Sequence, residues 1–256
     1  MKNNKEDDFI TVYWAPAMTF EVELHKEFNM LYAEPENMFS YLRSKKSSFD
    51  QSNSMMVCPA FKEKMKKTFF FKNSVECNFL YETDDQGVVC LQDQKASPQE
   101  VRAIRPPGFS FGPSILINSP YIFFSDFDLE ANFSQPIFHP QGYLKYGSVI
   151  PGRFNIGSWF RPYATEIQMW NNSGELIIKE DEPIFYVEFL TNKKVKLVRF
   201  KYTKKLGTYA QHCVDAPQIF GKYLPLIKRY KKFKESRMRD LVLKEIKENI
   251  IGEFNE

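Results

Sequence analysis

Residues 106–202 form one long run of short apolar segments, cut at close intervals by Pro, Gly, Asn and Ser. It opens as PPGFSFGPSILINSPYIFF and closes as EIQMWNNSGELIIKEDEPIFYVEFLTNKKVKLVRFKY. The segments have strand length and turn signals recur about every ten residues, the pattern of a β-sandwich or barrel. Strands are predicted at 114–117, 121–124, 137–138, 143–149, 165–170, 175–178, 184–190 and 195–202. Asn171-Asn172-Ser173-Gly174 and Thr191-Asn192-Lys193-Lys194 supply residues that tolerate positive φ or stay solvated. They predict consecutive antiparallel hairpins, a three-hairpin meander over 165–202.

Upstream, Ile10-Thr11-Val12-Tyr13-Trp14 is a β-branched and aromatic run stopped by Pro16, a good first strand. Phe20–Leu24 alternates apolar and acidic residues and reads as a second. A short helix is expected over Glu36–Leu42, just after Pro35. Met55–Cys58 reads as a short strand, and the basic stretch Lys62–Lys67 leads into the strand Thr68–Phe71. Asp84-Asp85-Gln86-Gly87 separates Asn78–Tyr81 from Val88–Leu91 as a hairpin would. Residues 92–107 read as a linker or an excursion between subdomains.

Downstream, apolar residues fall at helical spacing: Leu224, Ile227, Tyr230, Phe233, Met238, Leu241, Val242, Ile246 and Ile250. The expected organisation is therefore a disordered tail over 1–8, one β-rich domain over 9–217 with a subdivision near 92–107, and a basic helical segment over 218–252. The fold class is mainly β: an antiparallel sandwich or barrel, one short helix in the N-terminal part and one C-terminal helix.

The 25 Phe and 13 Tyr supply large buried areas, so they read as core or as an aromatic groove. A net charge of +3 is too mild to imply nucleic acid by itself. Four Cys at 58, 77, 90 and 213 form no C-x-x-C pair, which removes the common zinc and redox spacings. MKNNKEDD at the start is no signal peptide, and no apolar run is long enough for a transmembrane segment. A reducing cytoplasm with free thiols is the expected setting.

No complete catalytic motif stands out: there is no G-x-S-x-G elbow and no phosphate loop. His25-Lys26-Glu27 has the short spacing of an iron-binding His-x-Glu, with His139 or His212 as a second His, but chance meets that spacing easily. His139 reads as a loop residue, and His212 as hydrogen-bonded to Asp215 in a polar loop. Cys58 reads as a buried structural thiol, with a nucleophile as the sharper alternative. Catalytic residues are thus unassigned, and no metal or cofactor is expected.

Two regions stand out instead. GSVIPGRFNIGSWFR, residues 147–161, combines glycines, two Arg suited to carboxylate or phosphate, and aromatic faces. Arg153, Trp159, Arg161 and the nearby Trp170 are the ligand-binding candidates, against a plain reading as a connection between sheets. The C-terminal segment holds the one dense charge cluster: Lys228, Arg229, Lys231, Lys232, Lys234, Arg237 and Arg239. On a helix these cover more than half the circumference. They read as a solvated face or as a contact for nucleic acid, an acidic partner or a membrane surface.

The VYWAP segment at 12–16, CPAF at 58–61, WFRP at 159–162, EIQMW at 166–170 and EPIFYVEF at 182–189 together resemble uncharacterised proteins encoded by tailed phages of marine bacteria. That resemblance spans most of the chain and implies a viral origin, not a reaction. It places the protein in the cytoplasm of the bacterial host, with incorporation into virions as an extension. Residues 147–190 are also similar to the C-terminal half of the dUTPase and dCTP-deaminase barrels. There the family's Gly-x-x-Asp-x-x-Tyr motif is replaced by Gly152-Arg153-Phe154-Asn155, without the Asp, and the phosphate loop is missing. That likeness implies a barrel without that activity. The leading expectation is a non-enzymatic binding protein of a phage, virion-associated or host-directed, with a protein partner or self-association. A nucleotide-processing or Fe(II)-dependent enzyme is the alternative, and nucleic-acid binding through the helix a further one.

Overall fold

The computed structural model describes residues 8–17, 34–45, 55–73, 76–85, 89–93, 101–105, 112–139, 142–214 and 225–254. Its strands are β1 (Phe9–Pro16), β2 (Glu36–Asn37), β3 (Thr68–Lys72), β4 (Cys77–Thr83), β5 (Val89–Asp93), β6 (Val101–Arg105), β7 (Ser114–Phe124), β8 (Glu130–Ser134), β9 (Gly147–Val149), β10 (Gly152–Asn155), β11 (Pro162–Met169), β12 (Ser173–Ile178), β13 (Pro183–Phe189), β14 (Lys194–Phe200) and β15 (Ile250–Phe254). Its α-helices are α1 (Met38–Ser44), α2 (Pro59–Lys66), α3 (Lys204–Val214), α4 (Leu226–Glu235) and α5 (Arg237–Glu248). Among the described residues the chain is mainly β and sandwich-like, with no closed barrel.

One sheet runs β15-β14-β1-β7-β11-β9, with β6 also on β7. A second runs β10-β8-β13-β3-β2, and a third β12-β4-β5. The main core lies between the first sheet and the other two. It takes Val12 and Trp14 of β1, Ile115, Tyr121 and Phe123 of β7, Phe69 and Phe71 of β3, Leu176 and Ile178 of β12, and Phe185 and Val187 of β13. Side chains alternate across a strand, so the residues between these point outward. Those residues are apolar too. Tyr13, Ala15, Ile122, Phe124, Val198 and Phe200 form a second core with α3, α4 and α5. Phe70 and Tyr186 form a third with Met38 of α1 and Met65 of α2. Helices therefore cover both outer faces of the sandwich, and strands buried on two faces read as continuous apolar runs.

The strand pairing overturns the predicted meander. β11 pairs with β7 and β9, β12 with β4, β13 with β3 and β8, and β14 with β1 and β15. No two of these four consecutive strands pair with each other. β1 and β14 run parallel, with Val12 opposite Leu197. Smaller expectations also change. Met55–Val57 is a turn of 3-10 helix, and Pro59 starts α2 at its first turn, where proline is favoured. Residues 114–124 are one strand, Ile137-Phe138 lie in a turn, and Gly142–Lys145 form a 3-10 turn before the three-residue β9. The predicted linker at 92–107 contains β6, paired with β7. The strands β8, β10 and β15 and the helix α3 were not expected from the sequence. The predicted strand at Phe20–Leu24 lies outside the described residues, as does the predicted tail over 1–8 except for Asp8, which stands 3.4 Å from Lys194.

The single C-terminal helix is two. Ser236 adopts an extended conformation, ends α4 and caps α5, its hydroxyl oxygen accepting from the Met238 N–H at 3.2 Å. On α4, Tyr230 and Phe233 turn inward, but Ile227, placed on the apolar stripe by spacing, is 77% exposed. Leu241 of α5 is exposed as well.

Candidate functional site

The two regions marked in the sequence meet at one corner of the molecule, where the loops 125–128 and 155–161 cross beneath the α4–α5 junction. Gly157 permits the crossing: a Cβ there would lie 1.8 Å from the Phe127 carbonyl oxygen, so any side chain would push the loops apart. Arg239 clamps both loops from above. Its Nε donates to the Gly157 carbonyl at 3.0 Å and its Nη2 to the Asp126 carbonyl at 2.5 Å. Lys234 Nζ donates to the Asp128 carboxylate, which also accepts from Ser158 Oγ at 3.0 Å. The Lys234 hydrogen bond, helped by those from Ser158 and Asn155, holds the Asp128 carboxyl below its ordinary range, although partial burial pushes the other way. Lys247 Nζ stands 3.6 Å from the Asp126 carboxylate.

Trp159 is buried, and its ring meets those of Tyr230 and Phe233 of α4 edge-on at 5.1 and 6.2 Å. It anchors the helix and does not face solvent. Beside it a small, half-open pocket is lined by Phe123, Phe133, Phe154, Trp159, Arg161 and Tyr163. It has about 30 Å³ of room, which suits a water molecule and not a nucleotide or a sugar. Arg161 lies over the Phe154 ring, 5.6 Å from its centroid. Of the sequence candidates, Trp159 and Arg161 thus share one pocket. Arg153 stands apart on β10, 3.5 Å from Glu130, and Trp170, 46% exposed, lies beyond the far end of β11, about 30 Å along the strand from Arg161.

The basic cluster divides by direction. Arg239 and Lys234 hold the corner together. Lys228, Lys231, Lys232 and Lys234 share the solvent arc of α4 with Ile227 and Glu235, while Arg229 is half-buried. Lys231 has Glu235 at 3.7 Å. Among the described residues, no carboxylate stands within ion-pair distance of Lys228, Lys232 or Arg237. The outer face of α5 mixes signs, Arg237, Lys244 and Lys247 against Asp240 and Glu248. Positive charge is therefore densest on α4. Residues 201–249 hold 13 Lys and Arg against five Asp and Glu, a net charge of +8 in a chain whose total is +3.

The other candidates lie elsewhere. His139 packs under α1 on one outer face of the sandwich, and His212 is exposed on α3 on the opposite one. His25 lies outside the described residues. Among the described residues, no three His, Cys, Asp or Glu side chains stand close enough to hold a metal ion. Cys58, read as buried, is exposed at the start of α2. Among the described thiols the buried one is Cys213, whose pKa burial pushes up to about 11. Among the described residues, no helix is long and apolar enough to cross a membrane.

The convergence of residues 155–161 with α4 and α5 had no sequence signal, since about 70 positions separate them. Phe127, the most exposed aromatic side chain at the corner, sits between predicted strands in a stretch with no motif to single it out. Comparison with protein families, curated proteins and solved structures finds no match.

Proposed function

We propose that this chain is a non-enzymatic binding protein of a phage, and that its partner is a polyanion engaged by α4 and the corner beside it. The observation that carries this reading is the division of labour on α4. Tyr230 and Phe233 are spent on the second core, and the solvent arc holds four lysines and Ile227 against one glutamate. Lysine is depleted from the cores of protein interfaces but contributes directly to phosphate contact through counterion release. A membrane-surface helix would need an apolar stripe to insert, and here that stripe already packs on Trp159, Phe124 and Phe160. The likeness to phage proteins supports the setting, an infected bacterial cell.

The test is binding of fluorescent oligonucleotides and of inorganic polyphosphate to the intact chain over a range of salt. Affinity should fall linearly in log salt, with a slope near −0.7 for each phosphate contacted on a single strand. The double variant Lys228→Glu/Lys232→Glu should flatten that slope while leaving the far-ultraviolet circular dichroism unchanged. Undetectable binding of every polyanion at low salt, or binding indifferent to salt, would overturn the reading.

A further inference from the structure

Charge alone does not use the most conspicuous side chain of the corner. Phe127 is 59% exposed in a chain whose largest fully buried side chains are mostly phenylalanines. It is also rigidly mounted. The Phe127 N–H donates to Ser125 Oγ at 3.3 Å, and that fully buried hydroxyl donates to the Thr11 carbonyl of β1 at 3.1 Å. On one side Asp126 is held by Arg239 and Lys247; on the other Asp128 is held by Lys234 and Ser158. Gly157 packs against the Phe127 carbonyl from below. An apolar ring on such a pedestal has little conformational entropy left to lose on binding.

We propose that Phe127 is a base-stacking platform, and that the polyanion is single-stranded nucleic acid. The inference rests on the polyanion reading above and narrows it. Lysines on a helix that tracks a phosphate backbone, beside an exposed aromatic face, are the two elements of sequence-tolerant single-strand binding. Lys228 to Lys234 advance about 9 Å along α4, a run of positive charge leading toward the ring. A duplex keeps its bases stacked on one another and offers the ring nothing. Acidic peptide and polyphosphate satisfy the lysines but have no flat face to place on Phe127. The two flanking carboxylates are already engaged by lysines, so they oppose an incoming phosphate less than free carboxylates would.

The experiment is fluorescence anisotropy of the intact chain with labelled oligo(dT), competed by duplex of equal length, polyphosphate, and phosphatidylserine-containing vesicles. Oligo(dT) is expected to bind most tightly. Phe127→Ala should weaken it by roughly tenfold or more, without changing the salt slope, and Phe127→Trp should restore it. An effect of Phe127→Ala below about twofold, or competition by duplex, polyphosphate or vesicles as strong as by the single strand, would overturn the inference. If polyanions bind and Phe127→Ala is silent, this inference alone fails. If no polyanion binds, the reading beneath it fails too.

Discussion

His139 is held in a cage of rings. Its imidazole stacks on Tyr41 at 4.5 Å and 28°, lies 4.7 Å from the Phe70 centroid, and shares a 2.5 Å hydrogen bond between Nδ1 and Tyr186 Oη. The same phenol oxygen accepts from the Phe138 N–H at 3.2 Å. A neutral imidazole lets the Tyr186 hydroxyl donate to Nδ1, whereas an imidazolium must donate through that nitrogen and turn the hydroxyl away. Burial lowers the His139 pKa, with Lys72 and Lys45 adding to the effect and Glu36 opposing it. A lowered folded pKa makes the contribution full above the unfolded value of about 6.5 and lost as pH falls through the folded one. Urea unfolding should therefore show wild type losing stability from pH 7.5 to 5.5. His139→Phe, which keeps the ring and cannot titrate, should lose less over that window. Equal losses would show that His139 is not the responsible group.

At the scale of elements, the helical layer is fastened by Glu245 of α5. This buried carboxylate accepts from Lys205 Nζ at 2.7 Å and from Thr203 Oγ1 at 3.0 Å, and Asn249 Nδ2 donates to its backbone carbonyl at 2.8 Å. The Lys205 bond, with that from Thr203, holds its pKa low despite burial. The Glu245 side chain thereby joins the start of α3 to the body of α5, and its backbone carbonyl holds the turn into β15. Glu245→Ala removes the acceptor of Lys205 and of the half-buried Thr203 hydroxyl and should cost about 1–3 kcal/mol. Chemical denaturation measures that loss, and near-wild-type stability would mean the network contributes little.

Elements also differ most in how legible they are from sequence. β1 was legible because Ile10–Trp14 is β-branched and aromatic and Pro16 ends it. The pairing of β11 to β14 was not legible. NNSG and TNKK turn the chain sharply, as a hairpin loop would, but nothing local says that the next strand crosses to another sheet. The runs YIFF and TFFF carry the signal for the helical layers: strands apolar on both faces need a cover on each, and helices supply it. Lys204–Val214 hid its helix behind Gly207 and Thr208, weak helix formers. At the candidate site the lysines of α4 were visible, while the break at Ser236 and the clamp by Arg239 depend on contacts with distant loops.

The whole molecule is electrically lopsided. The stretch 201–249 carries +8 and the remainder −5. Such a body should associate head to tail when ionic strength is low and separate when a Debye length of about 10 Å or less screens it. Static light scattering should report a larger mean mass in about 10 mM salt than in about 300 mM, where screening is strong. A mass independent of salt would show that the two poles do not meet in productive register.

The parallel pair of β1 and β14 carries a consequence for how the chain is made. β1 lies at the middle of its sheet, between β14 and β7, yet its parallel partner arrives only with residues 194–200. Pairings across such separations close slowly, and an unpaired strand edge invites aggregation until they do. During synthesis the Ile10–Trp14 segment must wait, one edge open, until nearly 200 residues have been translated. Until β14 has emerged, that edge of β1 is a template for non-native strand pairing, and a chain stalled before it is a natural client for a chaperone.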